Sequence, residues 1–298
     1  MGKKNKLILL VKLLLIVMVL IVFGCRKKVI EKYTNGNIKK IYYLKMFGLG
    51  KIIDGPSKLY YENGQLYKEQ DYLDGKIEGK QNIYNKDGKL KETRLISNGK
   101  LNGYDSAWYE NGQLKCVRFF KENKLDGRIT YWYENGEKLS DIEWRNGKIN
   151  GQAKEYYKNG KLKEYSQFIN GARNGKSVFY YKNGRLKDEH NFLNGKLNGE
   201  FKYFLQNGNI KARGCWKNDK IPCDTFLIYD SSGVLKYKTI YKNTCDTLKN
   251  GNKVYGKTLF YDNSGKFIKA KKFYLEHDSL INYNIGNSAL YIKRISRE

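Results

Sequence analysis

The chain has 298 residues and a formal charge of +27, because 57 Lys and Arg residues outnumber 30 Asp and Glu. Aromatic residues make up 14% of the chain, too many for a disordered protein, while a hydrophobic content of 40% is low for a compact globule. Only two histidines are present, which argues against His-based catalysis and a His-rich metal site. The composition favours a folded, aromatic-rich chain that is not an enzyme, and we expect no metal and no cofactor.

The first 24 residues form a predicted signal peptide or anchor helix. Met1–Lys6 is basic, and Leu7–Phe23 is apolar except for Lys12. A basic start, an apolar stretch and a small residue are typical of an export signal. The ending Val22-Phe23-Gly24-Cys25 resembles a bacterial lipobox, and this resemblance implies that Cys25 is acylated. The alternative is an uncleaved anchor. Both tether the rest of the chain to a membrane of the bacterial cell envelope, facing away from the cytoplasm.

Export changes the expected partners of the positive charge. Residues 1–24 carry four lysines and no acidic residue, so the remainder carries +23. Nucleic acid is the usual partner of such a basic chain, but we do not expect it outside the cytoplasm. We predict instead a protein partner or an anionic envelope component, such as lipid head groups or acidic polymers. Lysines occur in every repeat described below: Lys89, Lys100, Lys148, Lys161, Lys176 and Lys196 are examples. They indicate either an anionic-ligand surface or a solvated surface that keeps strand edges unpaired.

The middle of the chain repeats with a period of 24 residues. Turn glycines, most of them preceded by Asn, recur at this spacing: Gly64, Gly88, Gly112, Gly136, Gly160, Gly184 and Gly208. With the turn glycine written as g, position g−4 is aromatic in nearly every repeat, g+2 is usually Leu or Ile, and g+8 is mostly aromatic. A pair of glycines four residues apart marks a second turn in most repeats. A fixed period of this length indicates a repeat architecture.

The sequence pattern of each repeat predicts two strands and two turns. Runs of residues rich in Tyr, Phe and Trp are bounded by Asn-Gly, which is a hairpin signature. A three-residue loop with a G1 bulge pairs g−4 with g+2, and we expect it to place g−4, g+2 and g+8 together on a core face. The predicted fold class is all-β, an elongated single-layer antiparallel β-meander of 24-residue β-hairpin repeats. Seven such repeats would extend roughly 70 Å.

The repeats resemble the bacterial MORN-variant repeat. The motif Tyr-Tyr-x-Asn-Gly-x-Leu-Lys, followed by an aromatic residue and a second Asn-Gly turn, is clearest at 156–163 with 168–175 and at 180–187 with 192–199. The resemblance implies a β-hairpin array that attaches to proteins or membranes, and its bacterial relatives are often labelled antitoxin components. We divide the chain into a signal peptide or anchor (1–24), a tether with a degenerate first repeat (25–55), regular repeats (56–216), divergent repeats (217–275) and a C-terminal tail (276–298).

Five tyrosines at g−3 are candidate partner-binding residues: Tyr61, Tyr109, Tyr133, Tyr157 and Tyr181. We expect them on a polar face of the sheet, where a row of tyrosines would offer rigid, amphipathic contact area. The alternative is that they form a second hydrophobic layer. Cys215 and Cys223 lie symmetrically about a turn, so that either a disulfide or a pair of buried thiols would fit there.

The motifs of common enzymes are absent from the sequence. It contains no Gly-x-Ser-x-Gly, no phosphate loop and no His-Glu-x-x-His. The sequence therefore predicts no catalytic residue and no metal ligand. We interpret the chain as a non-catalytic, membrane-tethered lipoprotein that acts as a protein- or envelope-binding scaffold through a Tyr/Lys-rich β-ribbon. The alternative is an antitoxin- or immunity-type protein that neutralises a toxin. A hydrolase of envelope polymers is a third interpretation.

Overall fold

The computed structural model describes residues 26–47, 50–219, 221–222, 225–242 and 254–275. Four features of the sequence lie outside this part of the chain: the predicted signal segment 1–24, Cys25, Cys223 and the tail 276–298. The described residues form strands and turns. None of them belongs to a helix with the length and apolar character that a membrane crossing requires. The chain divides into two compact units, Met1–Gly136 and Glu137–Glu298.

Unit 1 is built from short antiparallel strands in its described part. They are β1 (Lys27–Lys32), β2 (Ile38–Phe47), β3 (Gly50–Ile53), β4 (Gly55–Tyr60), β5 (Leu66–Leu73), β6 (Lys76–Tyr84), β7 (Leu90–Ser97), β8 (Lys100–Trp108), β9 (Leu114–Lys121), β10 (Lys124–Leu125) and β11 (Gly127–Trp132). From β4 to β9 each strand pairs with the next one along the chain. β2 pairs with β1, β3 and β4. This order is that of a meander.

Unit 2 continues the same pattern. Its described strands are β12 (Lys138–Arg145), β13 (Lys148–Tyr156), β14 (Leu162–Ile169), β15 (Ala172–Tyr180), β16 (Leu186–Leu193), β17 (Lys196–Leu197), β18 (Gly199–Phe204), β19 (Ile210–Lys217), β20 (Ile221–Pro222), β21 (Thr225–Tyr229), β22 (Leu235–Lys242), β23 (Val254–Tyr261) and β24 (Phe267–Leu275). Sequential antiparallel pairing runs from β12 to β24. The predicted all-β meander of hairpins is confirmed.

The Asn-Gly hairpins have the predicted register. Tyr60 pairs with Leu66 in β4–β5, and Tyr180 pairs with Leu186 in β15–β16, which matches g−4 with g+2. Gly64 has a φ of 87° and donates its N–H to the carbonyl of residue 61 at 2.9 Å. Glycine adopts this left-handed conformation at little cost, which explains why it recurs at this point of every repeat.

The expectation that g+8 shares a face with g−4 and g+2 is wrong. In β4–β5 the pairing steps from Leu59–Lys68 to Tyr60–Leu66, so that β5 contains one extra residue. An extra residue on one strand reverses the alternation of side chains beyond it. Tyr72, at g+8, therefore lies on the face opposite to Tyr60. The same register shift recurs in the later Asn-Gly hairpins.

The most buried line of side chains in each unit lies at g−7 and g+6, and we call it the buried row. Its buried members are Ser57, Gln70, Gln81, Asp105, Ile129, Ser166, Ser177, His190, Phe201, Thr239 and Thr258. Most are polar, and several bond to one another across neighbouring strands. Two examples are Ser166 with Ser177 (2.8 Å) and Thr239 with Thr258 (3.1 Å). Burying a polar group is tolerable when it is hydrogen-bonded, so these pairs satisfy one another.

The second turn of each repeat has type I′ geometry and contacts the preceding repeat. Asn170 and Gly171 both have positive φ values, 51° and 89°, as this turn requires. The N–H of Gly171 donates to the carbonyl of Ile149 at 2.8 Å. Where Asn123 replaces the glycine, its N–H makes the same kind of bond to Leu101, and its Oδ1 also accepts the Leu101 N–H at 2.7 Å. Neighbouring repeats within one unit are thus joined at this second turn as well.

Candidate binding surface

Tyrosines at g−3 join neighbouring repeats within each unit. In four described cases the hydroxyl group donates to the g−4 carbonyl of the following repeat at 2.7–2.9 Å: Tyr61 to Tyr84, Tyr109 to Trp132, Tyr157 to Tyr180 and Tyr181 to Phe204. All five predicted tyrosines, Tyr133 included, are half-buried. Because these four hydroxyl groups bind the array itself, the tyrosines stabilise the stacking of repeats. Their role in binding a partner stays a prediction.

The turn asparagines make a second connection beside the tyrosines. Asn159 accepts the N–H of Lys161 at 3.2 Å, which closes its own turn, and donates from Nδ2 to the carbonyl of Lys182 at 2.9 Å in the next repeat. Equivalent pairs of bonds occur at Asn63, Asn111 and Asn207. The Asn-Gly motif therefore both shapes its hairpin and positions the following one. Only the first of these roles was expected from the sequence.

Replacing Tyr157 with Phe is expected to lower the free energy of unfolding by about 1 kcal/mol, because it removes one neutral hydrogen bond but keeps the ring. Tyr104→Phe is the matched control, since the Tyr104 ring is 59% exposed. Urea unfolding followed by circular dichroism measures both variants. Equal stability of Tyr157→Phe and the parent chain would contradict the role of the hydroxyl group in stacking.

Several of the lysines that the sequence singled out bind other parts of the array. Lys161 donates to the carbonyl of Asn183 at 2.8 Å, and Lys89 donates to that of Glu110 at 3.4 Å. Lys100 forms an ion pair with Glu122, and Lys176 forms one with Glu189 at 2.8 Å. Exposed ion pairs of this kind contribute little stability. These lysines thus hold turns or neighbouring strands while their charge remains at the surface.

A cluster of two carboxylates and two guanidinium groups lies on the buried row of unit 1. Arg118 donates to Asp105 at 2.8 Å and to Glu92 at 3.1 Å, and Arg94 donates to Glu92 at 2.7 Å. Asp105 is 1% exposed, and burial raises the pKa of its carboxyl group, although Arg118 opposes this shift. The four charges cancel, so the cluster is a structural ion-pair network. The sequence did not predict this cluster, because charged residues at these positions are usually exposed to solvent.

The thiols of unit 1 and unit 2 differ in their surroundings. Cys116 is buried, and burial raises the pKa of its thiol, which keeps it protonated and unreactive at neutral pH. Cys215 is half-buried on β19, opposite Glu200 of β18. Its predicted partner Cys223 lies outside the described residues, so the disulfide stays a prediction. Among the described residues, no three His, Cys, Asp or Glu side chains are grouped to hold a metal ion.

An aromatic cluster surrounds His190 in unit 2. The imidazole lies 5.2 Å from the ring of Tyr203 and 5.9 Å from that of Phe179, measured between centroids. Phe201 stacks on Trp216 at 5.8 Å and also faces His190. Burial lowers the pKa of His190 and raises the pKa of Tyr203. The cluster forms the apolar centre of this unit, and its histidine is neutral at pH 7.

Unit 2 is expected to lose stability between pH 7.5 and pH 5.5 because His190 resists protonation. Its folded pKa lies below the unfolded value of about 6.5. The unfolded chain therefore binds more protons in this range, and stability falls as the pH falls. Asp188 opposes the shift, while Lys187 and Arg173 favour it. Urea midpoints at the two pH values measure the effect. His190→Gln should abolish most of the difference; an unchanged difference would contradict this assignment.

The fold and the hydrogen bonds between its repeats define a class of protein, namely a tandem array of β-hairpins in which repeats of the same unit bind one another. The sequence model of the MORN repeat variant matches residues 53–74, 149–170, 173–194, 197–218 and 225–243. These five segments of the chain are therefore MORN-variant repeats. The repeats between 75 and 148 that the family model does not match share the same hairpin register, as the pairs Tyr84–Leu90 and Trp108–Leu114 show.

The other comparisons add little to this assignment. No curated protein matches the chain. Among solved structures, a porin-like protein from Bacteroides uniformis is 10% identical, with 84% of this chain and 89% of that one covered and a TM-score of 0.18. A score of this size supports no conclusion about the present chain.

Proposed function

We propose that this protein is a non-catalytic repeat scaffold, tethered to a membrane of the bacterial envelope, that binds a protein or an anionic envelope component. The observation that carries the proposal is that the polar side chains repeated along the array bind the array itself. The tyrosines at g−3 and the turn asparagines bind neighbouring repeats, so the repeat motif builds a surface instead of a reaction centre. Lysine-rich turns remain at the surface of that array.

The reactive side chains of the described residues support a role without catalysis. Asp105 is paired with Arg118, Cys116 is buried with a raised pKa, and His190 is buried among aromatic rings. A general base or nucleophile must reach a substrate, and each of these three groups is buried. The binding role is thus the function that the geometry supports best.

Membrane tethering is tested first, through Cys25. We expect metabolic palmitate labelling and membrane association of the full chain in bacterial cells, and loss of the label in Cys25→Ser. Cys116→Ser is the matched control, which should keep both. An unlabelled chain that stays in the membrane would support the uncleaved anchor. An unlabelled chain in the soluble fraction would contradict tethering.

Partner binding is tested by crosslinking in intact cells followed by mass spectrometry. A protein or envelope polymer recovered with the full chain, and lost when excess salt is added, would support an electrostatic scaffold. A recovered toxin, together with rescue of growth when both are co-expressed, would instead favour the neutralising role that the resemblance to antitoxin-labelled relatives implied. Recovery of no specific partner across repeated experiments would contradict the scaffold.

A further inference from the structure

We propose that β1 and β2 form a patch that lies directly on anionic phospholipid head groups. We call it the basic–apolar patch, and its members are Lys28, Ile30, Lys32, Ile38, Ile41 and Tyr43. The inference rests on the proposed membrane tether, and it names the part of the chain that touches the membrane and the class of lipid that it prefers.

The strand register places these residues on one face. Lys28, Ile30 and Lys32 alternate along β1 and therefore point to the same side. Their partners on β2 are Tyr43, Ile41 and Ile38, respectively, and directly paired residues of antiparallel strands share a face. The face thus combines two lysines with three isoleucines and a tyrosine.

Four of the six patch residues are exposed, and the other two, Ile41 and Tyr43, are half-buried. Ile30 is 48% exposed and Ile38 is 37% exposed, while every residue of β1 except Val29 is exposed. Exposed apolar side chains framed by lysines are typical of surfaces that enter a membrane interface, where lysine stems lie along apolar groups and the ammonium reaches the phosphates. Tyrosine is likewise enriched at such interfaces.

The positive charge of residues 26–53, which include the patch, favours anionic lipids over neutral ones. Residues 26–53 contain eight Lys and Arg but only one acidic residue, Glu31, whereas the whole chain has roughly two basic residues for each acidic one. Lysines near a negatively charged leaflet are attracted to it, and the attraction fades within a Debye length. A lipid surface carrying phosphatidylglycerol is therefore the complementary partner.

The chain enters this end of the array without a linker. The guanidinium group of Arg26 binds the carboxylate of Asp54, which is fully buried and also accepts the N–H of Asp74 at 3.1 Å. Burial acts to raise the pKa of Asp54, but these hydrogen bonds hold it below its usual value. Arg26 is thus attached to the first repeats, and the step from Phe23 to Arg26 spans at most about 10 Å. A membrane-embedded segment ending there would hold β1 at the head groups.

Lysine footprinting tests the patch on the full chain. The protein is reconstituted in nanodiscs of phosphatidylcholine, or of phosphatidylcholine with phosphatidylglycerol, and treated with a water-soluble acylating reagent. Mass spectrometry then compares Lys28 and Lys32 with Lys80 and Lys91, which are exposed lysines of β6 and β7. We expect several-fold lower labelling of Lys28 and Lys32 in the anionic discs, reversed by high salt, and unchanged labelling of the two controls.

A second variant separates the patch from the tether. Ile30→Ser with Ile38→Ser alters two exposed positions and should weaken the protection of Lys28 and Lys32 without changing the unfolding midpoint. Equal labelling of both lysines in the two kinds of disc would overturn the patch. Failure of the chain to enter discs at all would instead contradict the proposed tether, so the two failures are distinguishable.

Discussion

Replacing Arg118 with Met is expected to lower the free energy of unfolding by about 3 kcal/mol at pH 7. The substitution leaves Asp105, which is 1% exposed, without the guanidinium group that binds it at 2.8 Å. Removing one partner of a buried ion pair typically costs about 3–5 kcal/mol, because the remaining charge stays desolvated. We expect the lower end of this energy range, because burial raises the pKa of Asp105. The carboxylate can then take up a proton when Arg118 is absent, which relieves part of the cost of its burial. The loss should therefore shrink as the pH falls.

Urea unfolding at pH 7 and pH 5 measures this effect. Lys91→Met removes an exposed basic side chain from the neighbouring β7 and should change stability by less than about 0.5 kcal/mol. The double variant Asp105→Asn with Arg118→Met removes the orphaned charge and should recover part of the loss. An Arg118→Met variant as stable as Lys91→Met would show that the cluster does not stabilise unit 1.

Replacing Phe201 with Ala is expected to lower the free energy of unfolding by about 3–5 kcal/mol, which is typical of a large aromatic residue removed from a core. Phe201 is 1% exposed, and its ring contacts Trp216 at 5.8 Å and Phe226 at 5.5 Å, between centroids. Phe267→Ala is the matched control, because Phe267 is 53% exposed. Urea unfolding followed by tryptophan fluorescence measures both variants. Similar losses in both variants would contradict the core assignment.

Gly214 offers an independent test of the same core. A Cβ placed on Gly214 would lie 2.9 Å from the Phe201 ring and 3.1 Å from the carbonyl of Thr225. The absence of a side chain at this position of the buried row thus makes room for the phenylalanine ring on the paired strand. Gly214→Ala should destabilise unit 2, and Phe201→Leu in the same chain should recover part of that loss if the ring is the main obstacle.

The hairpin array was predictable from the sequence because its signals are local. An Asn-Gly turn requires a positive φ at the glycine, and Gly64 and its counterparts show that conformation every 24 residues. The aromatic residue four positions before the glycine and the leucine two positions after it then pair across a short loop. No contact with a distant part of the chain is needed to fix this register.

The faces of the sheet, in contrast, were not predictable from the same pattern. One extra residue beyond each Asn-Gly turn reverses which side chains face the interior. The alternation of apolar and polar residues along a strand does not reveal the position of this extra residue. The buried row was missed for a related reason. Ser166, Ser177 and Asp105 have the composition of a solvated surface, and only their partners across the sheet make their burial tolerable.

The sequence by itself determined the repeat, its turns and the pairing of its strands, because these depend on residues within one hairpin. The tertiary structure decided what the repeated polar side chains do. The hydroxyl of Tyr157 donates to the carbonyl of Tyr180, 23 residues away, and the amide of Asn159 donates to the carbonyl of Lys182. Such bonds form only when two repeats stack. A side chain that would be available to a partner in an isolated repeat therefore joins two repeats in the array.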